Sequence, residues 1–438
     1  MMNVILMGSN TLISLITLPY VTRVLSVTGY GAVGFAQSAA TWFSTFCMMG
    51  IPVYGIRECA RVRDQPRLLA TTVKELLVLL SVFTGIVLTI FAVCIVTIPR
   101  FQQDSMLLWI FLVNTLIASY GLEWFYQAME QYAYITIRSA VFKLVSLALI
   151  LACVRHSEDA IIYGVILALV ASGNNIFNVV HLRSMVVLRD AGPLDLRRHL
   201  RPIMSFGAVN IASSVYLWLD TVILGFLTPG NYQVGLYQLA SKLKGFLGAI
   251  ITAVTNAAIP RLSYYMTHNE LDQYRRLLGN SLSLLTNLGL CMVGYLVIFA
   301  DSVITVISSA KYLPSTPALQ IISVAMFLSA INALIGFQIL TPAGQESKLA
   351  IANSAGVPVS IIANVALDPF LGATGAAIAA SATELMVFMV QACAARKVLR
   401  QVADLSQLLR IGVAVVAAAP VSLVSRPLVP GWSSLAPA

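Results

Sequence analysis

Six ionisable side chains lie inside long hydrophobic stretches of this 438-residue chain. A charge is costly in apolar surroundings, so a side chain of this kind is a functional candidate by default. An ammonium group binds an anionic ligand as a point charge, while a carboxylate holds such an ammonium in place or takes part in proton or sodium coupling. The sequence therefore predicts a charged cavity with these six candidates in its wall: Glu123, Lys143, Asp220, Lys242, Lys244 and Glu384.

Three further candidates for the cavity lie at the ends of hydrophobic stretches. Arg23 is near the end of the first stretch, and Arg57 and Glu58 follow the second. Charged residues in such places also anchor a helix at the membrane surface. Both interpretations stay open for all three residues.

The three lysines have alternative interpretations of their own. Lys143 is close enough to one end of its stretch that snorkelling of its ammonium group to water explains it equally well. Lys242 and Lys244 are two residues apart, which separates them by roughly 200° around a helix. We therefore do not expect both of them to face the same cavity.

The elements that must position these residues are membrane-spanning helices. Hydrophobic residues make up 58% of the chain and charged residues 10%, and the mean hydropathy is +0.86. These values are typical of a chain solvated by lipid and exclude a soluble fold. The formal net charge of +9 would favour nucleic acid as the partner of a soluble protein, but here the excess lies in loops beside the membrane.

Lysine and arginine are concentrated in alternate gaps between the hydrophobic stretches. Since these residues cross a bilayer poorly during insertion, the rich gaps are predicted to be cytoplasmic and the N-terminus with them. The poor gaps hold Arg23, Arg100, Arg155, Lys311 and Arg426. The rich gaps hold Arg57, Arg61, Arg63, Arg67 and Lys74; Arg138; Arg183, Arg189, Arg197, Arg198 and Arg201; Arg261, Arg275 and Arg276; Lys348; and Arg396, Lys397, Arg400 and Arg410.

Hydrophobic stretches of roughly 20 residues predict twelve spans in two sets of six. The first set covers about 1–24, 32–56, 75–98, 106–127, 133–154 and 160–182, and the second about 203–227, 234–259, 281–306, 318–341, 347–367 and 372–394. We expect an N-terminal bundle at 1–182, a basic cytoplasmic linker at 183–202, a C-terminal bundle at 203–394 and a basic, partly hydrophobic segment at 395–438.

The two ends of the chain need separate treatment. The first stretch lacks a basic leader and a cleavage site, which favours an uncleaved span over a signal peptide. The apolar run at 411–424, of about 14 residues, is marginal for a span, and its topology stays open.

The two predicted bundles also resemble each other in sequence. The pattern VGxxQ that begins at Val33 occurs again at Val234, in both cases at the start of the second helix of a set. Because each set holds an even number of helices, both enter from the same side, and the repeat must be parallel. The predicted fold is an all-α polytopic membrane protein with two six-helix bundles related by a parallel repeat, plus a partial C-terminal hydrophobic segment. This plan is typical of alternating-access transporters.

The loops contain no motif for catalysis. There is no GxxxxGK[ST] phosphate loop, and the four histidines and six cysteines show no metal-ligand or catalytic spacing. Predicted outer gaps of about seven residues are too short to fold as domains. The sequence therefore predicts a transporter with no cofactor and no metal site, and not an enzyme.

Five runs of sequence together resemble a known family. They are LPYVTRVLSVTGYG at 18–31, GIPVYGIRECARVRD at 50–64, LDTVILGFL at 219–227, VGLYQLASKL at 234–243 and IPR at 259–261. In this order they resemble the Wzx-type O-antigen and polysaccharide flippases of the multidrug/oligosaccharidyl-lipid/polysaccharide superfamily, over nearly the whole chain. The short N-terminus and the incomplete stretch after Arg410 depart from longer members of that family.

The resemblance implies a flippase that moves an undecaprenyl-pyrophosphate-linked oligosaccharide across the bacterial inner membrane, for O-antigen or other exopolysaccharide synthesis. It also implies a polysaccharide polymerase and a chain-length regulator as partners. A multidrug exporter of the same superfamily is the alternative within transporters. A membrane polymerase or ligase of surface glycans would need a large outer loop, which the sequence lacks.

Overall fold

The computed structural model describes residues 16–256 and 258–402, and it is helical nearly throughout. Residues 16–24 form the first described helix, α1. The others are α2 (Val27–Met48), α3 (Ile51–Arg61), α4 (Pro66–Thr97), α5 (Pro99–Gln103), α6 (Ser105–Ser119), α7 (Glu123–Ala128), α8 (Tyr132–Cys153), α9 (Ala160–Met185), α10 (Arg197–Leu227), α11 (Tyr232–Asn256), α12 (Ile259–Thr267), α13 (Leu271–Ile307), α14 (Thr316–Leu334), α15 (Glu346–Leu371) and α16 (Ala373–Val402). Short 3₁₀ turns occur at Leu188–Asp190 and Ala310–Ser315, and a π-helical turn at Ile335–Leu340 continues α14.

The helices begin where the sequence supplies start signals. Proline lies in the first turn of several of them, as Pro52 in α3 and Pro66 in α4, where its missing N–H needs no partner. At the start of α2 the hydroxyl of Ser26 accepts a hydrogen bond of 3.1 Å from the amide of Gly29. This cap satisfies one of the amides that a helix start leaves free.

Nine helical segments of the described residues are long and apolar enough to cross a membrane. Their outward faces are apolar too: on α4, Val82, Ile86, Ile90 and Val93 recur at helical spacing and are each at least half exposed. Such a face is stable in lipid and not in water. The prediction of an all-α polytopic membrane protein is confirmed.

The predicted spans coincide with described helices from the second span to the twelfth. The first span lies mostly outside the described residues, and the run at 411–424 lies wholly outside them. Helices α10 and α11 match the seventh and eighth spans but are not among the nine segments. The relation of the two sets by a parallel repeat remains a prediction.

The chain divides into two units, Met1–Val222 and Ile223–Ala438. The division lies inside α10, further along the chain than the predicted boundary between bundles. Val186 of the predicted linker and the residues that flank it, Leu182 and Ile203, belong to the core of the first unit, where they are buried in one cluster with residues of α3, α4 and α7. The predicted domain limits at 182 and 203 stay a prediction.

Two of the predicted spans are broken in the middle. The second is interrupted between α2 and α3, at Met49 (φ 45°) and Gly50. A side chain on Gly50 would collide with the carbonyl oxygen of Ile203 and with Phe206, so only glycine lets α10 approach this break. The fourth is interrupted between α6 and α7, where Leu122 has a left-handed backbone (φ 55°).

Candidate functional site

A cavity of about 440 Å³ opens within the first unit, between α2, α6, α8 and α9. Its volume is in the range of small-molecule sites. Nine of its sixteen lining residues are polar, although all four helices are apolar overall. The lining comprises Gln37, Ala40, Thr41, Ser44, Phe111, Asn114, Thr115, Ala118, Ser139, Phe142, Lys143, Ser146, Leu167, Val170, Ala171 and Asn174.

Helical periodicity accounts for this lining. Each helix contributes residues at i, i+3 or i+4, and i+7, which is one face of an α-helix. On α8 the positions are Ser139, Phe142, Lys143 and Ser146. Four such faces turned toward one another give a cavity with hydroxyl and amide groups in a protein that is otherwise apolar.

Lys143 is the one ionisable residue among those that line the cavity. It is half-buried and lies about 16 Å along α8 from Tyr132, at 1.5 Å per residue. In the structure Lys143 lies in the cavity wall, and its role there remains a prediction. An ammonium group there can bind an anion as a point charge.

Arg138 brings a second positive charge next to the cavity. Its side chain is 7% exposed, and its Nε donates a hydrogen bond of 2.7 Å to the Oδ1 of Asn174 in the cavity wall. Both of its Nη atoms are buried without a hydrogen-bond partner among the described residues. Buried donors of this kind are costly unless something accepts from them, so the guanidinium is suited to an anionic ligand.

Two neighbours hold the Arg138 guanidinium in place. The ring of Tyr134 lies 5.1 Å from its Cζ, within the range of a cation–π contact. The Oε1 of Glu123 lies 3.6 Å from its Nη2, and the Glu123 side chain is 47% exposed. Glu123 is therefore a partial counter-charge at the edge of the site, which leaves the pair of Arg138 and Lys143 with a net positive charge.

Arg138 was not singled out from the sequence as a cavity candidate. It was counted among the basic residues of the cytoplasmic gaps, although the predicted span at 133–154 contains it, and in the structure it lies inside α8, about 9 Å along the helix from Tyr132. A basic residue near the end of a span has the same sequence signature whether it faces lipid headgroups or the protein interior. The available signal was its position one residue before the polar face of α8 that begins at Ser139.

In the second unit, two predicted candidates form an ion pair between a buried carboxylate and a half-buried lysine. The Nζ of Lys244 on α11 lies 3.4 Å from the Oε1 of Glu384 on α16, whose side chain is 4% exposed. Asn332 on α14 donates 2.9 Å and 3.0 Å hydrogen bonds to the Oε2 and the backbone oxygen of Glu384. The carboxylate thus fastens three helices together.

This pairing predicts a stability effect with a built-in control. Lys244→Met leaves the buried Glu384 carboxylate without its counter-charge, which should lower the free energy of unfolding by about 2 kcal/mol. Lys348→Met removes an exposed lysine in the first turn of α15, outside this pair, and should change the free energy of unfolding by less than about 0.5 kcal/mol. Unfolding midpoints in detergent measure both. The double variant Lys244→Met, Glu384→Gln should recover part of the free energy of unfolding that Lys244→Met loses. If the losses of the two single variants simply add in the double variant, the two residues are not coupled.

The remaining predicted candidates do not join either cluster. Arg23 and Lys242 are exposed, and Asp220 is buried at 9% exposure on α10. Arg57 is exposed, with its guanidinium over the rings of Tyr54 and Phe206. Glu58 is buried and accepts a 2.5 Å hydrogen bond from Arg61. The exposure of Lys242 beside the half-buried Lys244 agrees with the expectation that the two face different ways.

The sequence did not single out a polar row on α15. Ser360, Asn364 and Asp368 are each fully buried, at i, i+4 and i+8 on one face of the helix. A buried carboxylate inside a membrane span is a functional candidate in its own right. The signal was present in the spacing, but Asp368 lies next to Pro369 near the predicted end of the span, where a loop was expected.

Comparison with known proteins identifies the family of the chain. A family profile described as "Polysaccharide biosynthesis protein" matches residues 2–266, which is more than half of the chain. The chain belongs to this polysaccharide biosynthesis family. One relative, from Escherichia coli (strain K12), has a name that describes an O-antigen transporter; the two are 24% identical over 396 residues, covering 87% of this chain and 92% of the relative. Another is AglR of Haloferax volcanii, named as a flippase, which is 29% identical over 245 residues and covers 54% of this chain and 48% of its own length.

Solved structures show the same fold. The lipid II flippase MurJ, in an inward closed conformation, aligns with a TM-score of 0.74 at 11% identity, covering 97% of this chain and 92% of MurJ. An inward-facing multidrug transporter of the MATE family aligns with a TM-score of 0.64 at 14% identity, covering 89% and 98%. The relatives of this polysaccharide biosynthesis family member are named as transporters and flippases, so the prediction of a membrane transporter that is not an enzyme is confirmed.

Proposed function

We propose that this protein moves an undecaprenyl-pyrophosphate-linked oligosaccharide from the inner to the outer leaflet of the bacterial cytoplasmic membrane. The observation that carries the proposal is the positive cavity of the first unit, with Lys143 in its wall and the Arg138 guanidinium beside it. Relatives named for O-antigen transport support the glycan, and the fold shared with a lipid II flippase supports a lipid-linked substrate.

The charges of the cavity match the pyrophosphate. A pyrophosphate presents several anionic oxygens, and the two Nη atoms of Arg138, which have no hydrogen-bond partner among the described residues, can donate to two of them. Lys143, five residues later on α8, can neutralise a further oxygen from the cavity wall. Glu123 opposes Arg138 with a negative charge, and its side chain is 47% exposed.

The neutral polar groups of the cavity suit the sugar next to the pyrophosphate. Gln37, Asn114, Ser44 and Ser146 supply amide and hydroxyl groups on three helices, and sugar hydroxyls need such partners when they leave water. A cavity of about 440 Å³ accommodates the pyrophosphate and an adjoining sugar and not a whole repeat unit. The remaining sugars therefore need further surfaces of the protein.

Alternating access follows from the energetics of the substrate. A charged sugar headgroup has a large desolvation cost in hydrocarbon, whereas its lipid tail is stable in the bilayer. A polar cavity that opens first to the cytoplasm and then to the outside removes that cost without covalent chemistry. Coupling to protons or sodium would use the buried carboxylates of the spans, for which Glu384 and Asp368 are the candidates.

The proposed orientation places the N-terminus in the cytoplasm of the bacterial cell, with the protein in its inner membrane. The alternation of basic and neutral gaps supports this. Reporter fusions after Arg198 and Arg276 should give a cytoplasmic signal, and fusions at Ser157 and Gly230 an external one. An external signal after Arg198 would contradict the orientation. We also propose a polysaccharide polymerase and a chain-length regulator as partners in the same pathway.

Binding of the lipid carrier tests the proposed substrate. Purified protein should bind undecaprenyl pyrophosphate, and Arg138→Ala should weaken that affinity about tenfold or more because a buried charged hydrogen-bond donor is lost. Lys348→Ala removes an exposed lysine on α15 and should leave the affinity unchanged. Native mass spectrometry or lipid titration measures it. Equal affinities for the wild type and Arg138→Ala would show that the pyrophosphate does not bind at this cavity.

A further inference from the structure

A second buried charged cluster lies in the first unit, and the proposed substrate site does not use it. At its centre is Glu75 on α4, whose side chain is 1% exposed. Its Oε2 accepts a 2.5 Å hydrogen bond from Arg198 and lies 2.8 Å from the Nε2 of His199, while its Oε1 accepts a 2.6 Å hydrogen bond from the amide of Asp195. Each of these partners belongs to the linker or to the first turn of α10.

His199 extends the cluster to a third helix. Its ring is fully buried, and its Nδ1 lies 2.7 Å from the hydroxyl of Tyr54 on α3. One neutral tautomer satisfies both contacts: Nε2–H donates to the Glu75 carboxylate, which cannot donate itself, and Nδ1 accepts from Tyr54. In that tautomer the 3.2 Å approach of the Arg198 Nε to Nε2 is a packing contact and not a hydrogen bond.

Two further contacts hold the same segment. The hydroxyl of Thr71, one turn before Glu75, accepts a 2.9 Å hydrogen bond from the amide of Gly192. Ile203 is fully buried, and α10 passes so close to the break between α2 and α3 that Gly50 has no room for a side chain. The segment from Gly192 to Ile203 is therefore attached to α3 and α4 at several successive points.

We propose that Glu75, His199 and Tyr54 are positioning residues that fasten the linker and the cytoplasmic end of α10 to the first unit, so that α10 begins as a fixed part of that unit during transport. The linker is then held in a fixed position against α3 and α4 and is not a flexible connection. A buried carboxylate with an arginine, a histidine and a backbone amide as partners is strongly bound, since removing one partner leaves the others buried and unsatisfied. The consequence for transport rests on the proposed function.

Hydrogen exchange of the full-length protein tests the anchoring directly. In the wild type, peptides that cover residues 188–201 should exchange slowly at the amides of Gly192 and Asp195, which donate to Thr71 and Glu75. Glu75→Ala should accelerate exchange in these peptides about tenfold or more. Thr71→Ala should release the Gly192 amide alone. The matched control is Glu130→Gln, which removes a carboxylate from an exposed ion pair with Arg63 and should leave the linker unchanged.

If the Glu75→Ala protein does not accumulate in the membrane, two milder variants allow the same hydrogen-exchange test. Glu75→Gln retains an acceptor for Asp195 but loses the charge that faces Arg198, and Tyr54→Phe removes only the hydroxyl that His199 accepts from. Both should give a smaller acceleration of the same peptides. Unchanged exchange in Glu75→Gln and Tyr54→Phe, or a wild-type linker that exchanges as fast as an unstructured peptide, would overturn the anchoring.

A transport measurement separates positioning from mere stability. Glu75→Gln and Tyr54→Phe should slow the movement of lipid-linked glycan at wild-type protein levels, and the two variants should rank as they do in linker exchange. A loosened linker with wild-type transport would overturn the positioning role and leave the proposed function intact. A wild-type protein that moves no lipid-linked glycan would refute the proposed function, whereas the exchange rates would still decide whether the linker is anchored.

Discussion

Replacement of both Arg138 and Lys143 by alanine is expected to reduce export of the lipid-linked glycan by about 100-fold or more. In the proposed site each residue would contribute a charged contact to the pyrophosphate, and one such contact is worth about tenfold or more. The single variants should each lose about tenfold. Surface polysaccharide, quantified at matched amounts of protein in the membrane, measures the effect.

Two control variants separate charge from folding. Lys143→Arg keeps the positive charge in the cavity wall and should retain most of the export, although its planar group differs from an ammonium in geometry. Lys348→Ala removes a positive charge from an exposed position on α15 and should export normally. Normal export by the double alanine variant would show that the cavity of the first unit does not hold the pyrophosphate.

The sequence was sufficient for the fold class because lipid imposes a simple requirement. Runs of apolar residues such as those of α4 and α13 have to become helices in a bilayer, since every backbone amide must find a partner inside its own segment. The breaks within spans were harder to predict. That at Gly50 depends on the approach of α10, more than 150 residues later in the chain, and no local pattern contains that contact.

The sequence indicated which charged residues are candidates for the site but not which residues they contact. Lys143, Lys244 and Glu384 were found because a charge in a span is conspicuous. Their surroundings depend on how each helix is rotated about its axis and on which helices are neighbours. The sequence therefore indicated that Lys244 and Glu384 are candidates without indicating that they pair. Arg138 was assigned to topology because a basic residue near the end of a span has the same signature whether it faces headgroups or the protein interior.

His199 illustrates a second reason for missed residues. It lies in a polar, basic segment, where a histidine is expected to be solvated, and it was interpreted as one of several scattered histidines. Its ring is nevertheless fully buried, because the linker docks on α4 and brings it to Glu75. Burial that arises only from the docking of a loop has no periodic signal in the sequence, which is why this cluster emerged from the structure alone.

Loss of the protein should abolish surface polysaccharide in a cell without related flippases. In the proposed pathway glycosyltransferases act before it, so undecaprenyl-linked repeat units should still be assembled on the cytoplasmic face and should accumulate there. The sensitivity of such cells to cationic drugs should stay unchanged. Greater drug toxicity with normal polysaccharide would instead favour the function of a multidrug exporter.

The leaflet in which the lipid-linked units reside in such cells tests translocation most directly. A glycan-modifying enzyme or a lectin applied to the outer face of spheroplasts reports the fraction of units that have crossed the membrane. Nearly all units should stay inaccessible without the protein, and the wild-type protein should restore their access while the Arg138→Ala, Lys143→Ala double variant should not. Accessible but unpolymerised units in cells that lack the protein would contradict a role in translocation.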